Sequence, residues 1–291
     1  MSLAEALHEP VLVTEVVEIL RGADVVVDLT VGLGGHARAL LDAGVDVVVG
    51  IDRDAEALAE AGRRLGAYGS RFRPVRATFS GAVEAAEEAG TPAAGGVLYD
   101  LGVSSLQLDR PERGFSYRSD GPLDMRMGQE NVTAAHIVNT YGERDLERII
   151  REHGEERFAG RIARNIVRAR RRAPLKTTRE LAAVVAAAVP KRRGGPHPAR
   201  RTFQALRIEV NRELEELAAS LPRAVQLLIP GGRMVAIAYH SLEDRIVKRF
   251  LRTDDRLEAL TRKPVRPTAQ EAERNPRARS ARLRAAERRA A

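Results

Sequence analysis

The chain has 291 residues, 44% hydrophobic and 30% charged, a balance that fits a buried core in one enlarged domain or in a domain carrying an insertion. It contains no cysteine, which excludes disulfides, thiolate zinc sites, iron–sulfur clusters and a cysteine nucleophile, and its six histidines show no metal-ligand spacing. The formal net charge is +8, and no apolar run reaches the roughly 20 residues of a membrane span nor is there a secretory signal pattern, so the expected location is cytoplasmic.

In chain order, residues 10–20 are amphipathic. The β-branched run Val25-Val26-Val27-Asp28-Leu29-Thr30 predicts a buried strand, which passes through the glycine-rich turn Val31-Gly32-Leu33-Gly34-Gly35-His36 into a helix over 37–43. A second apolar run over 45–51 ends in Asp52, and Asp54 is placed to cap a helix reaching Leu65. Weaker strand signals at 72–76 and 96–100 flank a helix over 81–89. This alternation predicts a parallel sheet with helices on both faces. From 106 to 220 the β-runs stop, and helices are predicted over 132–141, 143–153, 155–172, 177–188 and 199–220, with a loop over 190–198. The β-pattern resumes at 234–238 after Pro230-Gly231-Gly232, followed by His240 and a helix over 242–251. Near the end, Ala281, Leu283 and Ala285 alternate with arginines after the turn signal Asn275-Pro276, which favours a last strand over a polar helix. The expected organisation is a core of residues 1–105 and 221–291 interrupted by a helical domain, 106–220, used for substrate recognition.

The turn Gly32-Leu33-Gly34-Gly35-His36-Ala37 fits G-x-G-x-x-G/A between a strand and a helix, where glycine permits a tight turn and close approach of a ligand to backbone. Eighteen residues beyond Gly34, Asp52 ends the second strand, where a carboxylate accepts hydrogen bonds from ribose hydroxyls. An adenosine-containing cofactor is expected. A pyrophosphate such as that of NAD favours a helix N-terminus without nearby carboxylates. Here Asp28 and Asp100 close the first and fourth strands, a setting that welcomes an ammonium or sulfonium and so favours S-adenosylmethionine.

Six blocks then carry a family resemblance: Asp28 to His36; Leu101-Gly102-Val103-Ser104-Ser105 with Gln107; Arg113-Gly114-Phe115-Ser116; Gly121 to Met127; Tyr239 to Arg245; and Asn275 to Ser280. With His8-Glu9-Pro10-Val11-Leu12, they resemble the signatures of the bacterial MraW-type methyltransferases (ribosomal RNA small subunit methyltransferase H) over nearly the whole chain. The family's usual proline between the serine pair and the glutamine is Leu106 here. The resemblance implies an α/β, Rossmann-like class I S-adenosylmethionine methyltransferase sheet with an inserted all-helical domain. It also implies methylation of N4 of a cytidine in the decoding region of 16S rRNA. Cofactor contacts are implied for Gly34, Gly35, His36, Asp52, Phe79, Asp100 and Gln107, with Phe79 near the adenine.

The exocyclic amine of cytosine is a weak nucleophile because its lone pair is delocalised, so the enzyme must hold its hydrogens and aim the lone pair; orientation is the principal device. Asp100, Ser104 and Ser105 are the candidates for that task. His240 is a candidate to orient the base or receive a proton, against the alternative of a histidine bonded into the turn before Glu243. Tyr239 and Phe115 are candidates to stack a flipped base, or core fillers. C5 methylation usually requires a cysteine, which favours attack at nitrogen. The net charge is −8 over residues 1–105, +9 over 106–260 and +7 over 261–291, which directs a polyanion to the later two thirds; an arginine bias from a GC-rich genome is the competing explanation. Arg170-Arg171-Arg172 and Lys191-Arg192-Arg193 are candidate phosphate contacts. The expected partner is 16S rRNA or the small ribosomal subunit, without a membrane or metal, and a homodimer is left open. Methylation of another RNA, an NAD-dependent oxidoreductase and a non-catalytic RNA-binding protein are the alternatives.

Overall fold

The computed structural model describes residues 10–190, 195 and 197–290. His8 and Glu9 of the first motif and the basic triplet 191–193 lie outside the described residues. Two compact units are formed, one from residues 1–104 and 214–291 and the other from 105–213. In chain order the first unit begins with α1 (Val13–Ile19), β1 (Val25–Asp28), α2 (Gly35–Asp42), β2 (Val47–Asp52), α3 (Ala55–Arg64), β3 (Phe72–Arg76), α4 (Ala82–Glu88) and β4 (Ala94–Asp100). Asp54 caps α3 by accepting a hydrogen bond from the Glu56 amide. The second unit contains α5 (Ser105–Asp109), α6 (Ala134–Thr140), α7 (Glu143–Glu152), α8 (Ala159–Arg170), α9 (Thr178–Ala188) and α10 (Arg200–Asn211). The chain returns through α11 (Glu213–Leu227), β5 (Leu228–Ala238), α12 (Ser241–Thr253), β6 (Leu257–Ala259), α13 (Ala269–Arg274) and β7 (Arg282–Arg288).

The seven strands form one sheet in the order β3-β2-β1-β4-β5-β7-β6. Strands β1 to β5 pair in parallel, while β7 runs antiparallel to both β5 and β6. The sheet is therefore mixed: the parallel pairing expected of the alternating strands holds, and the last strand enters antiparallel because the chain returns to the sheet from the opposite side. Valine-rich strands suit this arrangement because both faces are covered. With the side-chain period of two, Val26, Val48 and Leu98 enter one cluster with α1, α2 and α3, whereas Val27, Val49 and Val97 enter the other with α4, α11 and α12. Tyr99, fully buried, satisfies its hydroxyl on Ser220 Oγ at 3.0 Å.

The helix expected over 199–220 is two helices. The chain breaks at Arg212, whose backbone is left-handed (φ 51°), and α11 buries Leu217, Leu221, Ala224 and Val225 against the sheet. The expected boundary at residue 220 thus falls at 213. Likewise α8 starts at Ala159 rather than 155, after the left-handed Glu155. The second unit has its own core, including Leu146, Ile150, Ile162, Ile166, Leu181, Val185 and Leu206. Among the described residues no helix is long and apolar enough to cross a membrane.

Candidate active site

The parallel strands reverse their order of addition between β1 and β4, so the ends of these two strands leave a crevice on the carboxyl side of the sheet. Three carboxylates stand there. Asp28 ends β1, Asp52 ends β2 and Asp100 ends β4. Thr30 ties two of them together: its amide and hydroxyl donate to Asp28 Oδ1 (3.0 and 3.2 Å), and its Oγ1 accepts from the Asp100 amide (2.6 Å). Asp52 shapes the glycine turn, accepting from the Gly32 amide on Oδ2 and from the Asp54 amide on Oδ1, both at 2.9 Å. Each oxygen keeps a lone pair for another donor.

Gly34 closes the turn at φ 80°, and a Cβ there would lie 2.8 Å from Leu65 Cδ1, so both conformation and packing require glycine. Gly35 begins α2 against Pro10. A Cβ on Gly32 would point towards Ser104, 4.0 Å away, so the turn opens onto the loop after β4. His36, in the first turn of α2, is buried; its Nε2 lies 3.0 Å from the Val11 carbonyl, and its Nδ1 lies 3.5 Å from Asp100 Oδ2. The Tyr239 hydroxyl donates to the other Asp100 oxygen, Oδ1, at 2.7 Å.

Burial pushes the carboxyls of Asp28 and Asp52 up to about 6, against the opposing pull of His36 on Asp28 and of backbone amides on Asp52. Burial also raises Asp100, opposed by His36 and by the Tyr239 hydrogen bond. Burial and the Asp100 charge together hold the Tyr239 phenol well above its ordinary value. Asp100 nevertheless keeps 24% of its side-chain surface exposed, which makes it reachable. A crevice of carboxylates that dislike their own ionisation gains from an arriving cation and resists a diphosphate. This donor set fits the ammonium, sulfonium and ribose of S-adenosylmethionine.

Phe79 sits in a single 3-10 turn after β3, half-buried and edge-on to Tyr99, with ring centroids 5.8 Å apart. His240 is the N-cap of α12. Its Nδ1 accepts from the Glu243 amide at 3.4 Å, while Glu243 Oε2 accepts from the amides of Tyr239 and His240 (2.9 and 3.2 Å). His240 Nε2 is 3.0 Å from Glu243 Oε1 but is not aligned for a hydrogen bond. The ring is therefore already engaged by a capping box, the alternative reading of that turn. Tyr239, weighed as a stacking surface, instead packs its ring on the core and commits its hydroxyl to Asp100.

The second unit holds Ser105 and Gln107 on α5, with Gln107 buried. Phe115 is also buried, and the Arg113 guanidinium lies 5.9 Å from its ring centre. The segment 113–127 turns on Gly114 (φ 73°), where a Cβ would overlap the Pro122 carbonyl. Buried Asn211 clasps its end, accepting from the Met127 amide and donating to the Met125 carbonyl, both at 2.8 Å. Arg170 is spent on the Val138 carbonyl (2.8 Å), whereas Arg171 and Arg172 are exposed. Sequence reasoning missed Thr30, Asn211 and the anchoring role of Glu243. Glu243 and Thr30 had local signals, spacings of three from His240 and of two from Asp28, whereas Asn211 had none.

The sequence matches the model of the MraW methylase family over residues 5–289. A ribosomal RNA small subunit methyltransferase H of Carboxydothermus hydrogenoformans is 48% identical, the alignment covering 96% of this chain and 97% of that protein. Proteins of the same name from Acidothermus cellulolyticus and Mycolicibacterium smegmatis are each 48% identical over 96% of this chain, covering 93% and 83% of their own lengths. With a class I methyltransferase strand order, a glycine turn and three strand-end carboxylates lining one crevice, the chain belongs to the MraW methylase family.

Proposed function

We propose that this enzyme uses S-adenosylmethionine to methylate the exocyclic N4 of a cytidine in the decoding region of 16S rRNA, presented as free RNA or in the small ribosomal subunit of the cytoplasm. The cofactor supplies an electrophilic methyl carbon when bound. Asp52 holds the ribose, Gly34, Gly35 and His36 shape the turn beside it, and Phe79 borders the adenine, while Asp28 faces the ammonium. Gln107 completes the cofactor contacts in this reading.

Asp100 carries the chemistry. Tyr239 on Oδ1 and His36 near Oδ2 fix the carboxylate, and one of its free lone pairs accepts a hydrogen of the target amine. With Ser104 and Ser105 as further acceptors, the amine lone pair is aimed at the methyl carbon. His240 positions the Tyr239 turn through its capping box and, in this reading, lines the target side. The helical unit 105–213, with 23 basic and 14 acidic residues, recognises the RNA.

The single observation supporting this reading is the trio Asp28, Asp52 and Asp100 around the glycine turn. The test is nucleoside mapping of small-subunit rRNA from a strain lacking the protein, with and without complementation. One N4-methylated cytidine is expected to vanish and return. An unchanged nucleoside profile would overturn the assignment.

A further inference from the structure

A cavity of about 290 Å³ lies in the first unit away from the strand-end crevice, lined by Lys248, Leu251, Arg252, Ala259, Thr261, Arg262 and Arg284. Four of these seven residues are cations. Lys248 and Arg252 stand one helical turn apart on α12, Arg262 follows β6, and Arg284 arrives from β7. Arg284 is buried, and its guanidinium is held by Asp244, with Nε 2.6 Å from Oδ1 and Nη2 3.3 Å from Oδ2. Arg282 shares that carboxylate at 3.5 Å. Asp244 is thus consumed by two arginines, and among the described residues Lys248, Arg252 and Arg262 have no carboxylate partner. The remaining lining is apolar or small, with buried Leu251 and exposed Ala259 beside Thr261, whose hydroxyl accepts from the Ala285 amide at 3.0 Å.

Three unpaired cations around a concavity keep a positive potential that only an anion relieves. Its volume is at the low end of small-ligand sites, about 300 to 1,000 Å³. That is room for one nucleotide and too little for an acidic helix. Measured along α12, Lys248 and Arg252 lie about 11 and 17 Å beyond the helix start at the crevice, at about 1.5 Å per residue.

We propose that this cavity is an auxiliary subsite for one nucleotide of the RNA substrate outside the reaction centre. The phosphate rests on Lys248, Arg252 and Arg262, and the sugar and base lie against Leu251 and Ala259. Arg284, locked by Asp244, is the fixed wall. The inference rests on the reading of RNA as substrate.

The test replaces Lys248, Arg252 and Arg262 together with alanine, all exposed positions remote from the cofactor carboxylates. A second variant carries Lys248→Arg, Arg252→Lys and Arg262→Lys. Affinity for a fluorescein-labelled RNA oligonucleotide of the target segment is titrated over several salt concentrations. Each released counterion contributes about 0.7 to the slope of log affinity against log salt for a single strand. Because the three cations share one phosphate, the alanine variant should lose about 0.7 in slope, raise the KM for RNA on the order of tenfold and keep both kcat and cofactor affinity. The charge-retaining variant should behave as the parent. Equal slopes and KM values for the alanine variant and its parent would overturn the subsite. So would inorganic phosphate, at constant ionic strength, binding as tightly as the oligonucleotide. N4-methylcytidine is scored in the same reactions. If the parent makes none while the slopes still differ, the target assignment fails and the subsite stands; if the parent methylates and the slopes match, the subsite alone fails.

Discussion

The strand-end crevice and the helical unit 105–213 use charge in opposite ways. At the crevice, Asp28, Asp52 and Asp100 are carboxylates whose ionisation burial penalises. The arginines of α8 and the following turn, Arg161, Arg164, Arg168, Arg171 and Arg172, face solvent, where a charge costs little. A buried charge stores free energy that a ligand of opposite sign recovers, whereas an exposed one acts through counterions. The crevice should therefore answer to pH, and the helical unit to salt.

The largest effect is expected from Asp100→Asn, which keeps the shape at the crevice but withdraws the charge. Methyl transfer should fall on the order of a hundredfold or more, while Tm stays within a few degrees; single-turnover rates with labelled cofactor, read beside calorimetry, check this. Near-normal turnover would move the reaction centre elsewhere. Asp52→Ala removes a charged acceptor, a loss of about 1.5 to 3 kcal/mol, so cofactor affinity should drop from about tenfold to a hundredfold by isothermal titration.

Asp28→Asn sharpens the comparison because stability and binding should move apart. The native carboxyl, near 6, lies above its ordinary 3.8, so between those values the folded state holds the proton that the unfolded chain has released. Its contribution to stability grows as pH falls through that window and is a cost above it. The amide variant can still accept from Thr30, and should raise Tm by a few degrees at pH 7.5. The gain should shrink towards zero near pH 4, and cofactor affinity should fall at neutral pH. Scanning calorimetry across pH would refute this if the variant were less stable at pH 7.5.

The smallest effect is expected from Arg171→Ala with Arg172→Ala. Losing two phosphate contacts flattens the salt slope of RNA binding by about 1.4, and cofactor affinity should not move. Filter binding at several salt concentrations decides it, and parallel slopes would make these arginines mere solvated surface. Arg170 is left intact because it is already bonded to the Val138 carbonyl.

How much of this was legible in the sequence follows the range of each interaction. The valine runs, the glycine turn and the strand-ending Asp28, Asp52 and Asp100 are written locally and could be read directly. The Tyr239 hydroxyl reaches Asp100 across 139 positions, and nothing near either residue announces it. The start of the returning core at α11 was hidden for a related reason: Leu217 and Leu221 have the spacing of any amphipathic helix, and only the sheet reveals which core they serve. Arg170 and Arg171 look alike in sequence, and a single carbonyl separates their roles.

The position of β7 governs the order in which the sheet can be completed during synthesis. It is the last of the seven strands to be made, yet it lies between β5 and β6, bonding one on each side. Until residues 282–288 leave the ribosome, β5 has an open edge and β6 has no strand partner. The helical unit is contiguous and emerges whole before that moment. A stall ahead of Arg282 would leave the Val235 and Ile237 row without its cover of Leu283 and Ala285, an apolar strand edge of the kind that recruits other chains.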